Sequence, residues 1–141
     1  MNELLKLSLV ETVKLIKSKK VSAKEIIETY INRLDDTEKY NMLSEKNYDE
    51  ALELAKKIDS KKQEDFRPLE GIPIAVKDIF CTVGNKTTAS SKILDNFVAP
   101  YESTVTKNLK NAGGIVICKT NMDEFAMGSA SDTCAKGEVI N

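Results

Sequence analysis

Histidine is absent from this 141-residue sequence. Without it, these residues alone cannot build a Ser-His-Asp triad, a Cys-His pair or an HExxH metal site. If the chain contributes a catalytic base, that base must therefore be a lysine or a carboxylate.

Cysteines are few, and the glycine-rich loops that bind nucleotides are missing. Cys81, Cys118 and Cys134 include no CxxC pair, so we expect neither a disulfide framework nor a metal site. Cys81 follows an apolar run and could act as a nucleophile, but no histidine is present to activate it, and reduced, inert cysteines are the favoured interpretation. There is no GxGxxG and no GxxxxGK[ST] motif, which excludes the two common nucleotide loops.

Neither a strong charge imbalance nor a long apolar run is present. The 21 basic and 22 acidic residues give a net charge of −1, which leaves no electrostatic footprint for nucleic acid. No apolar run approaches the roughly 20 residues that a membrane span needs. Charges interrupt the first 20 residues, which argues against a signal peptide, and Glu3 and Glu11 argue against a mitochondrial presequence. We therefore expect a cytoplasmic protein that does not enter a membrane.

Residues 1–60 are predicted to form an N-terminal helical segment. Ser8 and Ser22 each begin a capping box, and Asn47 is the predicted cap of a third helix. Apolar residues at helical spacing predict the buried faces of these helices. They are Leu9, Val13 and Ile16; Ile26, Ile27, Tyr30, Ile31 and Leu34; and Ala51, Leu54, Ala55 and Ile58.

The rest of the chain has α/β character. Residues 61–70 are predicted to be a linker, and residues 71–141 the beginning of an α/β core within a single incomplete domain. Two short apolar runs, 72–76 and 115–118, predict buried strands, and Ser103 is placed to cap a helix between them. A strand, a helix and a second strand in this order favour a crossover unit in a largely parallel sheet.

Lys77 is the anomaly of the first strand, because it follows the apolar run directly and is itself followed by Asp78. Strand alternation places Lys77 on the face of Ala75 and Ile79 and places Asp78 on the other face, so the two neighbours should not form an ion pair. One interpretation is a strand-end lysine that is solvated or paired elsewhere. The other is a buried lysine that loses its charge readily and acts as a neutral base.

Asp123 and Glu124 form an acidic pair near the C-terminal end of the sequence. Their side chains should diverge, because sequence neighbours on a short helix point in different directions. We interpret them as helix N-terminal charges that complement the dipole rather than as a catalytic carboxylate pair. The polar stretch after Gly128 is predicted to begin a loop.

Two stretches resemble the amidase-signature family. GIPIAVKD, residues 71–78, resembles the lysine motif of that family, and AGGIVICKTNMDEFAMGS, residues 112–129, resembles its second strand and loop. The ending of the second stretch and TTASSKIL, residues 87–94, are typical of the branch that works inside tRNA-dependent amidotransferases. The resemblance implies an α/β fold that is the N-terminal part of the amidase-signature fold, with N-terminal helices followed by the first strands and helices of a large mixed sheet.

The resemblance also implies a Ser–cis-Ser–Lys mechanism without a metal, in which Lys77 is the catalytic lysine. Met127, Gly128 and Ser129 would bind substrate, with an ordinary loop after a helix end as the alternative. Both serines of the mechanism belong to a glycine- and serine-rich signature that this sequence does not contain. Ser129 and Ser131 lack that glycine context and are not candidates for the triad.

For the branch that works inside tRNA-dependent amidotransferases, the resemblance implies that glutamine is the substrate and is hydrolysed to glutamate and ammonia. A B subunit would use the ammonia, with ATP and Mg²⁺, to convert Glu-tRNA(Gln) to Gln-tRNA(Gln), and a small C subunit would stabilise the heterotrimer. No cofactor is expected in this chain, and residues 1–141 alone are expected to be inactive. The alternatives are a standalone amidase that acts on another amide and a truncated, non-catalytic assembly module.

Overall fold

The computed structural model describes residues 2–140. In chain order its helices and strands are α1 (Leu9–Lys17), α2 (Ala23–Asp36), β1 (Leu43–Lys46), α3 (Tyr48–Asp59), β2 (Pro73–Lys77), α4 (Thr104–Asn111) and β3 (Ile115–Thr120). Single turns of 3₁₀-helix span Glu3–Lys6, Glu38–Tyr40, Gln63–Asp65, Lys92–Leu94 and Glu124–Ala126. Over residues 2–140, each helix is too short or too polar to cross a lipid bilayer.

These elements belong to two compact units that interleave along the chain. The first unit contains the residues up to Asp35 together with Asn47–Ile74 and Leu109–Ile117. The second unit contains Asp36–Lys46, Ala75–Asn108 and the residues from Cys118 onward. The division of the sequence into 1–60, 61–70 and 71–141 stays a prediction.

The beginning of α1 follows from its capping residues. The Ser8 hydroxyl accepts the Glu11 N–H at 3.3 Å, and the Glu11 carboxylate accepts the Ser8 N–H at 2.8 Å. The Glu11 carboxylate accepts hydrogen bonds from both the Ser8 hydroxyl and the Ser8 N–H. The bond from the hydroxyl lowers the pKa of Glu11 the most, and the bond from the N–H lowers it further. The predicted capping box is confirmed.

The beginning of α2 has an anchor that the sequence pattern did not predict. Ser22 accepts the Glu25 N–H at 3.0 Å, as expected of a capping serine. Asp59, the last residue of α3, also accepts the N–H groups of the first two residues of α2 at 2.7 and 3.0 Å. Asn47 is the N-cap residue of α3, as predicted, although its side chain makes no capping hydrogen bond.

The core of the first unit is built on the faces that the helical spacing predicts. Ile16, Ile26 and Ile72 form a buried cluster. Partly buried side chains surround it: Leu4, Val13, Val21, Tyr30, Phe66 and Leu69. Two members of the predicted stripes are exposed, Leu9 in the first turn of α1 and Leu54 on α3. Leu54 lies at the edge of the buried face of α3. That face is centred on the alanines, and each residue advances a helix by about 100°.

Strand β1 lies within the predicted N-terminal helical segment and was not predicted. It pairs antiparallel with β3, with Glu45 opposite Lys119 and Lys46 opposite Cys118. A four-residue strand is too short to show the alternation that identifies strands from sequence. Its conformation is determined by pairing with β3, which is distant in sequence.

Strands β2 and β3 form the predicted crossover unit. The Ile115 N–H donates to the Ile72 carbonyl at 2.8 Å, and the Asp78 N–H donates to the Thr120 carbonyl at 3.1 Å. The paired positions rise together along both strands, so the strands are parallel. Helix α4 connects them, and the strand order is β1–β3–β2.

Burial differs between the two parallel strands. In β3 the residues from Ile115 through Lys119 are all buried, and burial was predicted for residues 115–118 but not for Lys119. In β2 only Val76 is buried, while Ala75 and Lys77 are exposed. The expectation that β2 is a fully buried strand is therefore wrong, because one of its faces is uncovered.

A buried carboxylate lies where the chain enters β2. The Glu70 side chain has no exposed surface, and it accepts hydrogen bonds from Lys61 at 2.7 Å and from the Arg67 guanidinium at 2.6 Å. Gly113, which ends α4 at φ +101°, allows the close approach, because a Cβ there would lie 2.7 Å from the Glu70 Cα. Burial acts to raise the pKa of Glu70, but the bonds from Arg67 and Lys61 outweigh it and lower that pKa below its ordinary value.

The free energy of unfolding should fall in acid because the Glu70 carboxylate becomes protonated there. Because the pKa of Glu70 is lower in the folded chain, its contribution is present above its unfolded pKa of about 4.3 and is lost as the pH falls through the folded pKa. We expect Glu70→Gln to reduce the free energy of unfolding at pH 7 by about 1–3 kcal/mol and to flatten its decline in acid. Urea unfolding at pH 7 and in acid measures both effects. Glu64→Gln, at an exposed position, is the control, and an unchanged acid decline in Glu70→Gln would contradict the assignment.

Candidate active site

A polar pocket of about 240 Å³ lies in the second unit, beside the C-terminal ends of β2 and β3. It is lined by Lys77, Asn121, Met122, Asp123, Ala126, Gly128, Ser129 and Ser131. The fold thus brings Lys77 together with Gly128 and Ser129, three of the four candidate site residues. Met127, the fourth, is 80% exposed and does not line the pocket.

Lys77 is the last residue of β2 and is exposed. Ala75 and Ile79 are exposed with it, whereas Val76 and Asp78 are buried, which confirms the predicted alternation. Within this chain the hypothesis of a buried lysine at position 77 is wrong. The reason is that the face of β2 that carries Lys77 is not covered by other elements.

Asp78 turns away from the pocket and pairs elsewhere. Its carboxylate lies 3.2 Å from the ammonium of Lys119, and neither side chain has exposed surface. Thr88 donates to the same carboxylate from its hydroxyl at 2.5 Å and from its N–H at 3.2 Å. The prediction that Lys77 and Asp78 are not partners is confirmed.

Lys119 is the buried lysine of this molecule, and sequence reasoning missed it. Its ammonium also donates to the carbonyls of Phe80 at 3.0 Å and Lys86 at 2.9 Å and to the Thr87 hydroxyl at 2.6 Å. Burial lowers the pKa of Lys119 below its ordinary value, and the attraction of Asp78 opposes this effect. The signal was available, because Lys119 directly follows the apolar run IVIC just as Lys77 follows the apolar run of β2.

Asp123 organises the loop that closes one side of the pocket. Its carboxylate accepts the Ser131 N–H at 3.0 Å and the Thr133 hydroxyl at 3.0 Å. The bond from the Ser131 N–H is the main reason that the pKa of Asp123 lies below its ordinary value. Glu124 points elsewhere and accepts the Ser91 hydroxyl at 2.5 Å, so the predicted divergence is confirmed. The helix-dipole interpretation is wrong for Asp123, because only a single 3₁₀ turn follows and its carboxylate binds the loop instead.

Gly128 is fixed at its position by close packing. A Cβ at residue 128 would lie 2.4 Å from the Asp123 carboxyl carbon, closer than any side chain can approach. The same loop holds Phe125, Ala126 and Ser131 at positive φ angles of 51°, 60° and 55°. Non-glycine residues in this conformation each cost about 1–3 kcal/mol and concentrate at functional sites. The backbone of the pocket wall is therefore strained as well as tightly packed.

Asn121 contributes an acceptor that the sequence did not single out. Its amide nitrogen donates to the Asn41 carbonyl at 2.7 Å, which fixes the orientation of the side chain. Its amide oxygen is buried and accepts no hydrogen bond from residues 2–140. A buried acceptor without a donor is costly, so this oxygen is suited to accept a hydrogen bond that residues 2–140 do not supply.

The cysteines lie outside this pocket. All three are free thiols, and Cys118 and Cys134 are buried. Burial raises the pKa of Cys118 to about 11, which keeps its thiol protonated and unreactive at neutral pH. Over residues 2–140, no group of three or more histidine, cysteine or acidic side chains is arranged to hold a metal ion.

Comparison with protein families gives a match over most of the chain. The family described as Amidase matches residues 25–141, which include both strands that end at the pocket and the whole lining. The chain belongs to the amidase family. The resemblance seen in GIPIAVKD and in AGGIVICKTNMDEFAMGS is therefore confirmed.

Individual relatives extend this result. The chain is 53% identical over 129 residues to a protein of Prochlorococcus marinus (strain NATL2A) that is named as the A subunit of glutamyl-tRNA(Gln) amidotransferase, covering 89% of the chain and 26% of the relative. A solved structure of a protein with that name from Thermotoga maritima is 33% identical, with a TM-score of 0.60, 94% of the chain covered and 25% of the relative. The chain thus spans about a quarter of the length of the curated relatives it matches.

The amidase fold extends beyond proteins with that name. A solved structure described as a vestigial complex that reveals the origins of an s-triazine catabolic enzyme is 30% identical with a TM-score of 0.87. The match covers 93% of this chain and 30% of that one. The predicted fold class, an α/β chain with the N-terminal part of the amidase-signature fold, is confirmed.

Proposed function

We propose that this chain is the N-terminal part of the A subunit of a glutamyl-tRNA(Gln) amidotransferase, which hydrolyses glutamine to supply ammonia. The observation that carries the proposal is the pocket, because it joins Lys77 at a strand end to Gly128 and Ser129. The 53% identity to a relative with that name supports glutamine as the substrate.

In the proposed reaction, neutral Lys77 accepts a proton from a bridging serine, which accepts the proton of a nucleophilic serine. The nucleophile attacks the carboxamide carbon of glutamine, ammonia leaves, and water hydrolyses the resulting ester to glutamate. Both serines would come from the glycine- and serine-rich signature that lies outside this sequence. Lys77 is exposed in this chain, so the base also needs further protein to cover the pocket, because desolvation disfavours the ammonium form.

The pocket loop would bind the substrate. Gly128 presents backbone without a side chain, and Ser129 supplies a hydroxyl that can donate or accept a hydrogen bond. Met127 is placed by the same loop but is exposed in this chain. It would contact substrate only after the loop is covered. Asn121 lines the pocket with Lys77, and its amide oxygen would accept one N–H of the lysine and leave the lone pair for a hydroxyl.

The remaining parts of the reaction belong to the assembly. We propose a cytoplasmic heterotrimer in which a B subunit binds ATP and Mg²⁺ and converts Glu-tRNA(Gln) to Gln-tRNA(Gln). A C subunit would stabilise the complex. This chain carries neither of the two common nucleotide loops and has balanced charge, which supports placing ATP and tRNA on a partner.

The test uses the protein encoded by the complete gene, co-expressed with B and C subunits and supplied with glutamine labelled in its amide nitrogen. We expect labelled ammonia, and labelled Gln-tRNA(Gln) when Glu-tRNA(Gln), ATP and Mg²⁺ are present. The complex should release ammonia from glutamine faster than from aryl or aliphatic amides. Residues 1–141 alone should release none.

A standalone amidase that acts on another amide is the second candidate, supported by the match of residues 25–141 to the Amidase family. Faster hydrolysis of another amide, without a need for partners, would support that candidate and contradict the first. Absence of ammonia release from every amide tested would leave a non-catalytic assembly module.

A further inference from the structure

The buried pair of Asp78 and Lys119 lies directly behind the strand end that carries Lys77. Asp78 is adjacent to Lys77 in sequence, and Lys119 is two residues before Asn121, so both members join the pocket lining through the backbone. Isolated ion pairs without exposed surface are costly to bury, and they persist where geometry and additional hydrogen bonds compensate. That cost makes a role beyond stability worth testing here.

The polar groups of Asp78 that the structure describes are all engaged. Its N–H bonds to the Thr120 carbonyl at 3.1 Å, its carbonyl accepts the Ala89 N–H at 3.0 Å, and its carboxylate is held by Thr88 and Lys119. Successive side chains of a strand point to opposite faces, so fixing Asp78 on the buried face fixes the direction in which Lys77 leaves the strand. Lys119 extends the constraint to the segment after β2 through three further hydrogen bonds.

We propose that the buried Asp78–Lys119 pair positions Lys77, and that Lys119 cancels the negative charge of Asp78, which alone would hold Lys77 in its charged form. The proposal rests on the proposed function for the role of Lys77. Asp78 and Lys119 touch no substrate and act only through the strand ends.

Other titratable groups lie near the pair and the pocket. Asp123 lines the pocket with Lys77, and Glu45 lies opposite Lys119 across the β1–β3 pairing. Cys81 also interacts electrostatically with Lys119. None of these groups changes in the variants below, so a difference among the variants reports on the pair.

The test measures the protonation of Lys77 directly in the protein from the complete gene. The amine is labelled with acetic anhydride at a series of pH values, and mass spectrometry gives the labelling midpoint of the peptide that contains residue 77. We expect Asp78→Asn, which leaves the positive charge of Lys119 unbalanced, to move the midpoint to lower pH by about half a pH unit or more. Lys119→Met, which leaves Asp78 unbalanced, should move it to higher pH by a similar amount. The double variant should return it to the wild-type position.

A purely structural pair would not produce shifts of opposite sign that cancel, so equal midpoints, or shifts of one sign, would overturn the proposal. If a single variant does not fold, the comparison uses wild type, the double variant and Lys119→Arg, which all keep the net charge of the pair. Their midpoints must then agree, and a displaced midpoint contradicts the proposal.

Glutamine hydrolysis in the same variants separates this inference from the proposed function. If the labelling midpoints shift in opposite directions but no amide is hydrolysed, the proposed role of the Asp78–Lys119 pair stands and the proposed function is rejected. Hydrolysis that needs Lys77 but shows no such shifts would reject only the pair.

Discussion

Lys77→Ala in the protein from the complete gene is expected to lower the rate of glutamine hydrolysis at least about 10³-fold without changing its thermal unfolding. The reason is that the chain contains no histidine, and Lys77 is the one lysine of the described residues that lines the pocket with Gly128 and Ser129. Losing the base of a nucleophile costs factors of about 10³–10⁶ in enzymes of this kind. Ammonia release under saturating glutamine, together with a melting curve, measures the two effects.

Two further variants make this prediction specific. Lys107→Ala removes an exposed lysine on α4, outside the pocket, and should retain wild-type activity. Lys77→Arg keeps a positive charge but cannot become neutral, because a guanidinium does not lose its proton in proteins. It should be as inactive as Lys77→Ala. Substantial activity in Lys77→Arg would mean that residue 77 acts by charge alone and not as a base.

Asp78→Ala is expected to reduce the free energy of unfolding by about 3–5 kcal/mol, which is the cost of leaving a buried charge without its partner. The stranded group would be the Lys119 ammonium, which has no exposed surface. Lys119→Met should cost a similar amount for the opposite charge. Urea unfolding of the protein from the complete gene measures these losses.

The double variant Asp78→Asn with Lys119→Met supplies the matched comparison. It leaves no uncompensated charge, so it should be more stable than Asp78→Asn alone or Lys119→Met alone, which is the signature of a coupled pair. Asp95→Ala, at an exposed position, controls for loss of a carboxylate and should be close to neutral. Losses below about 1 kcal/mol in the single variants would show that the pair is not desolvated as the structure has it.

Local chemistry made much of the architecture predictable. Ser8 and Ser22 begin helices as their capping chemistry requires, and the strand, helix and strand around α4 form a parallel crossover. Alternation along β2 correctly separated Lys77 from Asp78. Each of these features depends on residues within a few positions of one another, where propensity and spacing carry the information.

The features that the sequence did not reveal depend on partners distant along the chain. Strand β1 exists through its pairing with β3, and Asp59 anchors the beginning of α2 from 35 residues away. Lys119 lies in an apolar run like that of Lys77, yet one lysine is buried and the other exposed. The packing of distant elements decides which face of a strand is covered. A lysine after an apolar run is therefore buried in one strand and exposed in the other.

The candidate site was predicted in part, through Lys77, Gly128 and Ser129, because the family resemblance identified the segments that meet there. Asn121 and Asp123 gained their roles only from geometry. Asn121 lines the pocket and carries a buried acceptor, and Asp123 holds the strained loop.

The most direct test of Lys77-driven acyl transfer is to trap the acyl-enzyme. The protein from the complete gene is incubated with glutamine and hydroxylamine, and ammonia and γ-glutamyl hydroxamate are quantified together. We expect both products to form, and we expect Lys77→Ala and Lys77→Arg each to abolish both. Ammonia release without hydroxamate, or hydroxamate formation at the wild-type rate in either variant, would contradict Lys77-driven acyl transfer.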